Sequence, residues 1–519
     1  MFREQSAAWL QQATTLTPQL SERRYTPVSL VEPYEDAAAF QGWNMRVVGS
    51  TEALDARWLR VGESVVLDFG EHLVGHVSFS VHLSGCQDAP VRLKLTFGEV
   101  PAEIAEPFDP YTGDLSRAWL QDEIVTLDEL PQTVRLPRRY AFRYLRITWE
   151  EHRDVFQIQL RDITCHASTS AEFDLPETDY PAPFAEIDQV GLRTLRDCMQ
   201  EVFEDGPKRD RRLWLGDLRV MAQLNYLTFR NDDLVKRCLY LFAAAAREDG
   251  LVPGCVYEWP KLTYGNTLLT YSCLFGPTLL DYAKASDDWD LARELWPVAR
   301  RQVDFALQQV QDNHLFVDDK NWWLFFDWQP GLDHQASMHA CLIYCLRALH
   351  TMAERLALRE EAAGLQTTID NMVTAARTLL WDEAQGFVVS GPEHQLSWCS
   401  QVWMTLAGVL SPTEAAPVLQ RMLTADMIAP KGPYLYHHVV EALLIAGLPE
   451  EAGTILRDYW GGMVTRGAST FWEVFDPADD HLSPYNNYLI NSYCHAWSST
   501  PGYFLRKYPA LVQEIGRTS

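Results

Sequence analysis

Residues 176–186 read PETDYPAPFAE, and the chain changes character across them. A proline offers no backbone N–H and clashes within a helix or a central strand, so this stretch reads as a linker. Before it, SVVLDFG (64–70), HVSFSVHL (76–83), VRLKLTF (91–97), FRYLRITW (142–149) and FQIQLRDITC (156–165) alternate or are β-branched, broken by Gly, Pro and Asp. That is the signature of an antiparallel β-sandwich. After it, apolar residues recur at helical spacing. The expected division is an N-terminal segment (1–25), a β-sandwich accessory domain (26–172), a linker (173–183) and an all-α domain (184–519).

Twelve helices are expected in that last part: 184–204, 217–230, 232–248, 267–285, 287–311, 334–358, 360–380, 396–409, 412–424, 434–446, 449–463 and 487–507. Ser411-Pro412-Thr413-Glu414 is a capping box with proline at the first helical position, and Pro449 opens another helix. Short links of about one to three residues alternate with long ones of about nine to twenty-two, well above ordinary helix-hairpin lengths. Helices that alternate up and down place every long link at one end. The pattern predicts an (α/α)6 barrel, six helical hairpins closed into a toroid, with one rim of long loops suited to binding and catalysis.

The 519 residues, 47% hydrophobic and 22% charged, describe a globular protein with a large core. A formal net charge of −26 argues against nucleic acid or an anionic membrane as partner. MFREQSAAWLQQATTL has no apolar run after its basic residue, and no stretch approaches the roughly 18 apolar residues of a membrane span. The ten cysteines are scattered without CxxC pairs and read as small buried hydrophobes. We therefore expect a cytoplasmic protein without a metal or other cofactor, and leave open whether it pairs as a homodimer.

The expected rim loops share a composition. The first, DGPKRDRRLWLGD (205–217), packs Asp205, Asp210 and Asp217 among four cations with Trp214. Apolar helical patterns flank it, which holds its charges against a core. The second carries Trp259 and Tyr264. The third, DDKNWWLFFDWQPGLD (318–333), carries Asp327 and Trp328. The fourth ends in HQLSWC (394–399) with Trp398, and the last holds Trp472 and Glu473, followed by His495. Aromatic faces cover the C–H side of a sugar ring while carboxylates and histidine bind its hydroxyls.

Hydrolysing a glycosidic bond requires one carboxyl to protonate the leaving oxygen and another to activate water or attack carbon. The first and last loops become neighbours when the helices close, so Asp210 and Glu473 are the expected pair. Arginines around Asp210 favour its ionised form, and burial or a neighbouring carboxylate must oppose them if it is the acid; Asp217 is the next candidate. Trp472 beside Glu473 is expected to shield that carboxyl and raise its pKa.

These strings resemble glycoside hydrolase family 78, the α-L-rhamnosidases. DGPKRDRRLWLGD, FDW (326–328), STFWEVFD (469–476) and CHAWSSTPGYFL (494–505) carry the resemblance, with VLDFGEHLVGHVSFSV (66–81) and FRYLRI (142–147) in the β-domain. It implies exo-acting hydrolysis of terminal α-L-rhamnose with inversion, Asp210 as general acid and Glu473 as general base. It further implies that Asp205 and Asp217 bind sugar and that Trp328 and His495 line the pocket. Small rhamnosides are the implied partner. The chain departs from the family in having Asp210 where Glu is common and Gly206 where Cys is common. The competing readings are another (α/α)6 carbohydrate enzyme, such as a lyase, and a non-catalytic sugar-binding protein.

Overall fold

The computed structural model describes residues 1–150 and 155–518. Its N-terminal part is built on one strand of 21 residues, Ser64–Ser84, which joins the two strands expected at 64–70 and 76–83. The register shifts between Asp68 and Leu73, so the strand continues through the polar break by changing its pairing. Tyr140–Trp149 and Gln157–Thr169 pair with it along its length, and Val91–Gly98 and Asp122–Leu127 extend the sheet beyond Tyr140–Trp149. All pairings in this nine-stranded sheet are antiparallel, and its hydrogen bonding is continuous where the sequence suggested two separate sheets. Val91, Leu93, Leu95 and Phe97 alternate inward from Val91–Gly98, as period-2 patterning requires, and join a core with Phe142, Leu145 and Trp149.

The N-terminal segment holds a helix and a strand. Arg3–Thr15 is a helix that packs on helix Asp232–Ala244 and buries Trp9, whose indole donates to Glu294 at 2.8 Å. Ser21–Tyr25 then pairs with Gln157–Thr169.

Helices dominate from Phe184. Leu215–Leu227 packs on Leu269–Ser286, that on Gln335–Arg355, that on Trp398–Leu406, and that on Pro433–Ile445. Pro501–Lys507 touches both Pro433–Ile445 and Leu215–Leu227. Trp289–Leu307, Arg359–Leu379 and Pro412–Met422 pack outside these. Asn231, Asp288 and Ser397 each cap a helix with a side-chain oxygen, and Ser411 and Glu414 form the expected capping box.

Two helices differ from expectation. The helix expected at 184–204 stops at Cys198, where Met199 turns extended. The helix expected at 487–507 is helical only from Pro501, preceded by short 3-10 turns at 488–490 and 496–498, and a further helix, Pro509–Thr518, follows. The cause is a partner distant in sequence. Lys208 donates to the carbonyls of Leu489 (3.1 Å) and Asn491 (2.6 Å), and Arg209 donates to that of Ile490 (2.9 Å). Carbonyls turned toward those cations cannot also continue a helical ladder. Among the described residues, no helix is long and apolar enough to cross a membrane.

The sheet and the helices meet through buried charge. The Lys208 ammonium pairs with Glu103 and lies 3.6 Å from Glu99, both on the sheet side of the junction. His72 is bracketed by Asp197 at 2.7 Å and Glu99 at 3.1 Å, and Glu99 also accepts from the Tyr493 N–H at 2.8 Å. Removing one partner of such a buried network strands the others. Lys208→Met should lower stability by about 3–5 kcal/mol in chemical denaturation. Arg377→Ala, which breaks the exposed Arg377–Glu414 pair, should cost below about 1 kcal/mol. Equal losses in the two variants would contradict this account of the junction.

Candidate active site

A cavity of about 160 Å³ opens at the loop end of the helices. That is well below the roughly 300–1,000 Å³ of sites for drug-sized ligands and suits a single monosaccharide ring. Asp205, Arg209, Asp210, Trp214 and Asp217 line one side, and Glu473, Tyr485, His495 and Trp497 the other. Phe325 and Trp328 form the wall between, with Phe325 stacked on Trp497 at 5.8 Å and Trp328 edge-on to Tyr485 at 5.6 Å. Leu115, from the sheet domain, reaches the same cavity.

The loop 205–212 is tied into a tight ring by its own backbone. Asp205 N–H donates to the Arg212 carbonyl (2.9 Å), and the Asp205 carboxylate accepts from the N–H groups of Arg212 (3.1 Å) and Asp210 (3.3 Å). The Asp205 carbonyl accepts from Ala496 N–H at 2.7 Å, joining the first loop to the last. Arg211 sits at φ 63°, and its guanidinium holds that conformation by donating to Pro207 and Arg139 carbonyls. A Cβ at Gly206 would lie 2.4 Å from the Arg209 carbonyl oxygen and 2.5 Å from Ser492 Oγ, so this version of the loop requires glycine there.

Arg209 organises the acids. Its guanidinium pairs with Glu473, lies 3.8 Å from Asp210, and sits 4.5 Å over the Tyr485 ring. Glu473 also accepts from the Tyr485 hydroxyl and from Ser492 N–H at 3.3 Å. Burial alone would push its carboxyl up, but Arg209 overrides burial, helped by His495, Tyr485 and Ser492, and the pKa ends below the usual range. This corrects the expectation that Trp472 would shield Glu473 and raise it. The Trp472 ring stacks on Phe40 at 4.0 Å, inside the core.

The raised carboxyl is Asp205. Burial first, then the Asp210 charge, pushes it to about 8, so it keeps a proton near neutral pH. Burial raises Asp217 as well. His495 faces Asp217 at 3.3 Å; burial opposes charge on its ring, yet Asp217, Glu473 and Asp205 together raise its pKa. Trp214 Nε1, Trp328 Nε1 and His495 Nδ1 are buried without a hydrogen-bond partner among the described residues. They line the cavity, and sugar hydroxyls are the kind of group that would satisfy them.

Of the residues expected at the site, Asp205, Asp210, Trp214, Asp217, Trp328, Glu473 and His495 meet around this cavity. Five others do not line it. Trp472 and Trp398 are buried in the helical core, Trp398 edge-on to Tyr436. Asp327 is a latch, accepting from the N–H groups of Lys431 and Gly432 at 2.7 Å each, with burial lifting it to about 6. Trp259 is 81% exposed and Tyr264 49%, both on a hairpin outside the cavity. The sequence reading passed over Tyr485, Tyr271, Phe325 and Leu115. The first stands in a loop without a motif, the next two inside apolar runs, and Leu115 in the sheet domain. Among the described residues, one group has metal-ligating spacing: His72, Asp197 and Cys494, buried at the domain junction. Both ring nitrogens of His72 already face carboxylates there.

Comparisons with known proteins concern the chain as a whole. Residues 27–167 match the glycosyl hydrolase family 78 alpha-rhamnosidase N-terminal domain, and residues 183–508 match the bacterial alpha-L-rhamnosidase 6 hairpin glycosidase domain. A rhamnosidase from Klebsiella oxytoca, solved with rhamnose bound, is 45% identical at a TM-score of 0.94, covering 97% of this chain and 99% of that one. A family 78 rhamnosidase of Bacillus sp. GL1 is 22% identical at 0.74, covering 90% of this chain and 49% of that one. The α-L-rhamnosidase of Streptomyces avermitilis, solved with L-rhamnose, is 18% identical at 0.68, covering 94% and 44%. These last two show the fold alone. Among curated proteins, none matches the chain in sequence.

The Arg209–Glu473 pair can be tested by titration. Arg209 is the largest of the charges that depress Glu473, so removing it leaves burial opposed only by His495, Tyr485 and Ser492. In Arg209→Met the Glu473 carboxyl should titrate above the ordinary value of about 4.3, followed by ¹³C NMR. An unchanged titration would contradict the assigned cause.

Proposed function

The chain belongs to glycoside hydrolase family 78, the α-L-rhamnosidases, and we propose that it removes terminal, non-reducing α-L-rhamnose by inversion, with Asp210 as general acid and Glu473 as general base. One observation carries this reading: a monosaccharide-sized cavity in which Asp210 and Glu473, from opposite ends of the helical domain in sequence, both face the guanidinium of Arg209. Inversion requires the two carboxyls to stand roughly 6.5–9.5 Å apart, with room for a water, where retention would need roughly 5 Å.

The environments suit the two roles. Glu473, with 3% of its side chain exposed and its pKa lowered by Arg209, is ionised at neutral pH and can take a proton from water. Arg209 and Tyr485 fix its orientation. Asp210 is 21% exposed, nearer the side on which a leaving group departs. Asp205, which keeps a proton near neutral pH, accepts from the Asp210 N–H and so belongs to the same backbone ring. Asp217 and His495, with the indoles of Trp214 and Trp328, bind the sugar hydroxyls, in keeping with the rhamnose bound by the Klebsiella relative.

The six consecutively packed helices that carry the site form the inner ring of an (α/α)6 barrel in this reading. Such a single-ring pocket supports exo action on small rhamnosides, and a cytoplasmic location is part of the same proposal.

On a panel of 4-nitrophenyl glycosides the protein should release nitrophenol from the α-L-rhamnoside, and ¹H NMR should show β-L-rhamnose first. First appearance of the α anomer would overturn inversion. Asp210→Asn should lose about 10²–10⁴-fold on alkyl rhamnosides and much less on the activated nitrophenyl substrate. Equal losses on both would move the acid role to another residue.

A further inference from the structure

The cavity has a neighbour. A groove of about 350 Å³ lies on the other side of Asp210, bordered by Trp119, Glu201, Arg212, Tyr257 and Trp259. Asp210 belongs to both walls. The three segments that enclose the cavity on this side also continue into the groove. The sheet-domain loop gives Leu115 to the cavity and Trp119 to the groove, the loop 205–212 gives Asp205 and then Arg212, and the segment 255–266 gives Asn266 and then Trp259.

Trp259 has no packing role that explains it, being 81% exposed. Yet it is not on a loose loop. It sits at the tip of the hairpin pairing Val256 with Tyr264 and Tyr257 with Thr263. The adjacent Glu258 accepts from Arg237 through both oxygens, at 2.8 and 2.6 Å, and Arg237 is itself buried. The Arg212 guanidinium lies 4.4 Å over the Tyr257 ring on the same hairpin. What singles this exposed indole out is its place on the groove wall, where its face is open to stack on a ring.

Resting on the hydrolase reading above, we infer that this groove is the leaving-group subsite and that it takes a second sugar ring, with Trp259 as its platform. An acid that protonates the bridging oxygen must stand between the two groups being parted, and Asp210 is the residue shared by cavity and groove. The groove mixes indole faces, Trp119 and Trp259, with the charged Glu201 and Arg212. Faces for C–H stacking beside groups that hydrogen-bond hydroxyls match a pyranose better than an apolar aryl plate. Trp259 touches the leaving group and not the rhamnose, so it sets specificity without taking part in the chemistry.

Trp259→Ala tests this, and its exposure makes folding of the variant safe. Three substrates separate the outcomes: rhamnosyl-α-1,6-glucose, a flavonol 3-O-rhamnoside, and α-L-rhamnosyl fluoride, whose leaving atom cannot reach the groove. The variant should lose about tenfold in kcat/KM on the disaccharide and less than about twofold on the fluoride. Undiminished disaccharide hydrolysis, or an equal fall on the fluoride, would overturn the subsite. A loss confined to the flavonol rhamnoside would overturn the assignment of a sugar to it. Failure of the unaltered protein on all three would instead overturn the hydrolase reading beneath.

Discussion

The buried pairing of Arg209 with Glu473 is the contact on which the site depends. Glu473 is almost fully removed from water, and a carboxylate there would take up a proton unless a cation faced it. Arg209 supplies that charge from a loop 264 residues away in sequence. The guanidinium cannot be moved without consequence, because it also donates to the Ile490 carbonyl and covers Tyr485. Its neighbour Lys208 holds the carbonyls on either side and is in turn held by Glu103 and Glu99 from the sheet domain. The accessory domain is thus part of what positions Glu473. Buried charge networks are weak sources of net stability, but they specify one arrangement where hydrophobic packing would accept several. Here the arrangement specified is that of a carboxylate ionised inside a cavity.

The two sides of the cavity are charged in opposite senses by the same burial. At Glu473 a cation wins and the carboxyl is lowered; at Asp205 the nearest strong charge is Asp210 and the carboxyl rises to about 8. Acid and base chemistry in one pocket at one pH requires such a split. It arises from where Arg209 points, since the loop 205–212 carries four cations and Arg211 and Arg212 face other partners: the Pro207 and Arg139 carbonyls and the Tyr257 ring.

Much of this was legible in the chain. Period-2 patterning located four of the nine strands of the sheet, and Ser411, Pro412 and Pro449 marked helix starts where the helices begin. The motifs at 205–217 and 469–476 named carboxylates that lie around one cavity. What escaped was decided by long-range contacts. Nothing local distinguishes Trp328, which faces the cavity, from Trp398 and Trp472, which face the core; both kinds lie beside acids or polar residues in loops. Asp327 has the look of a site acid until the N–H groups of Lys431 and Gly432 are found on it. The segment 487–498 has helical patterning, and only cations from the first loop explain its extended path. The influence of Trp472 on Glu473 was inferred from adjacency in sequence, whereas the governing charge came from across the fold.

In the proposed mechanism Glu473, ionised by Arg209, activates a water on the face of the sugar opposite the leaving group. Deleting the carboxylate while supplying a small anionic nucleophile tests it most directly. Glu473→Ala, assayed with α-L-rhamnosyl fluoride and sodium azide, should regain turnover with rising azide and release β-L-rhamnosyl azide, identified by NMR. Absence of any azide dependence, or formation of the α-configured azide, would contradict the account.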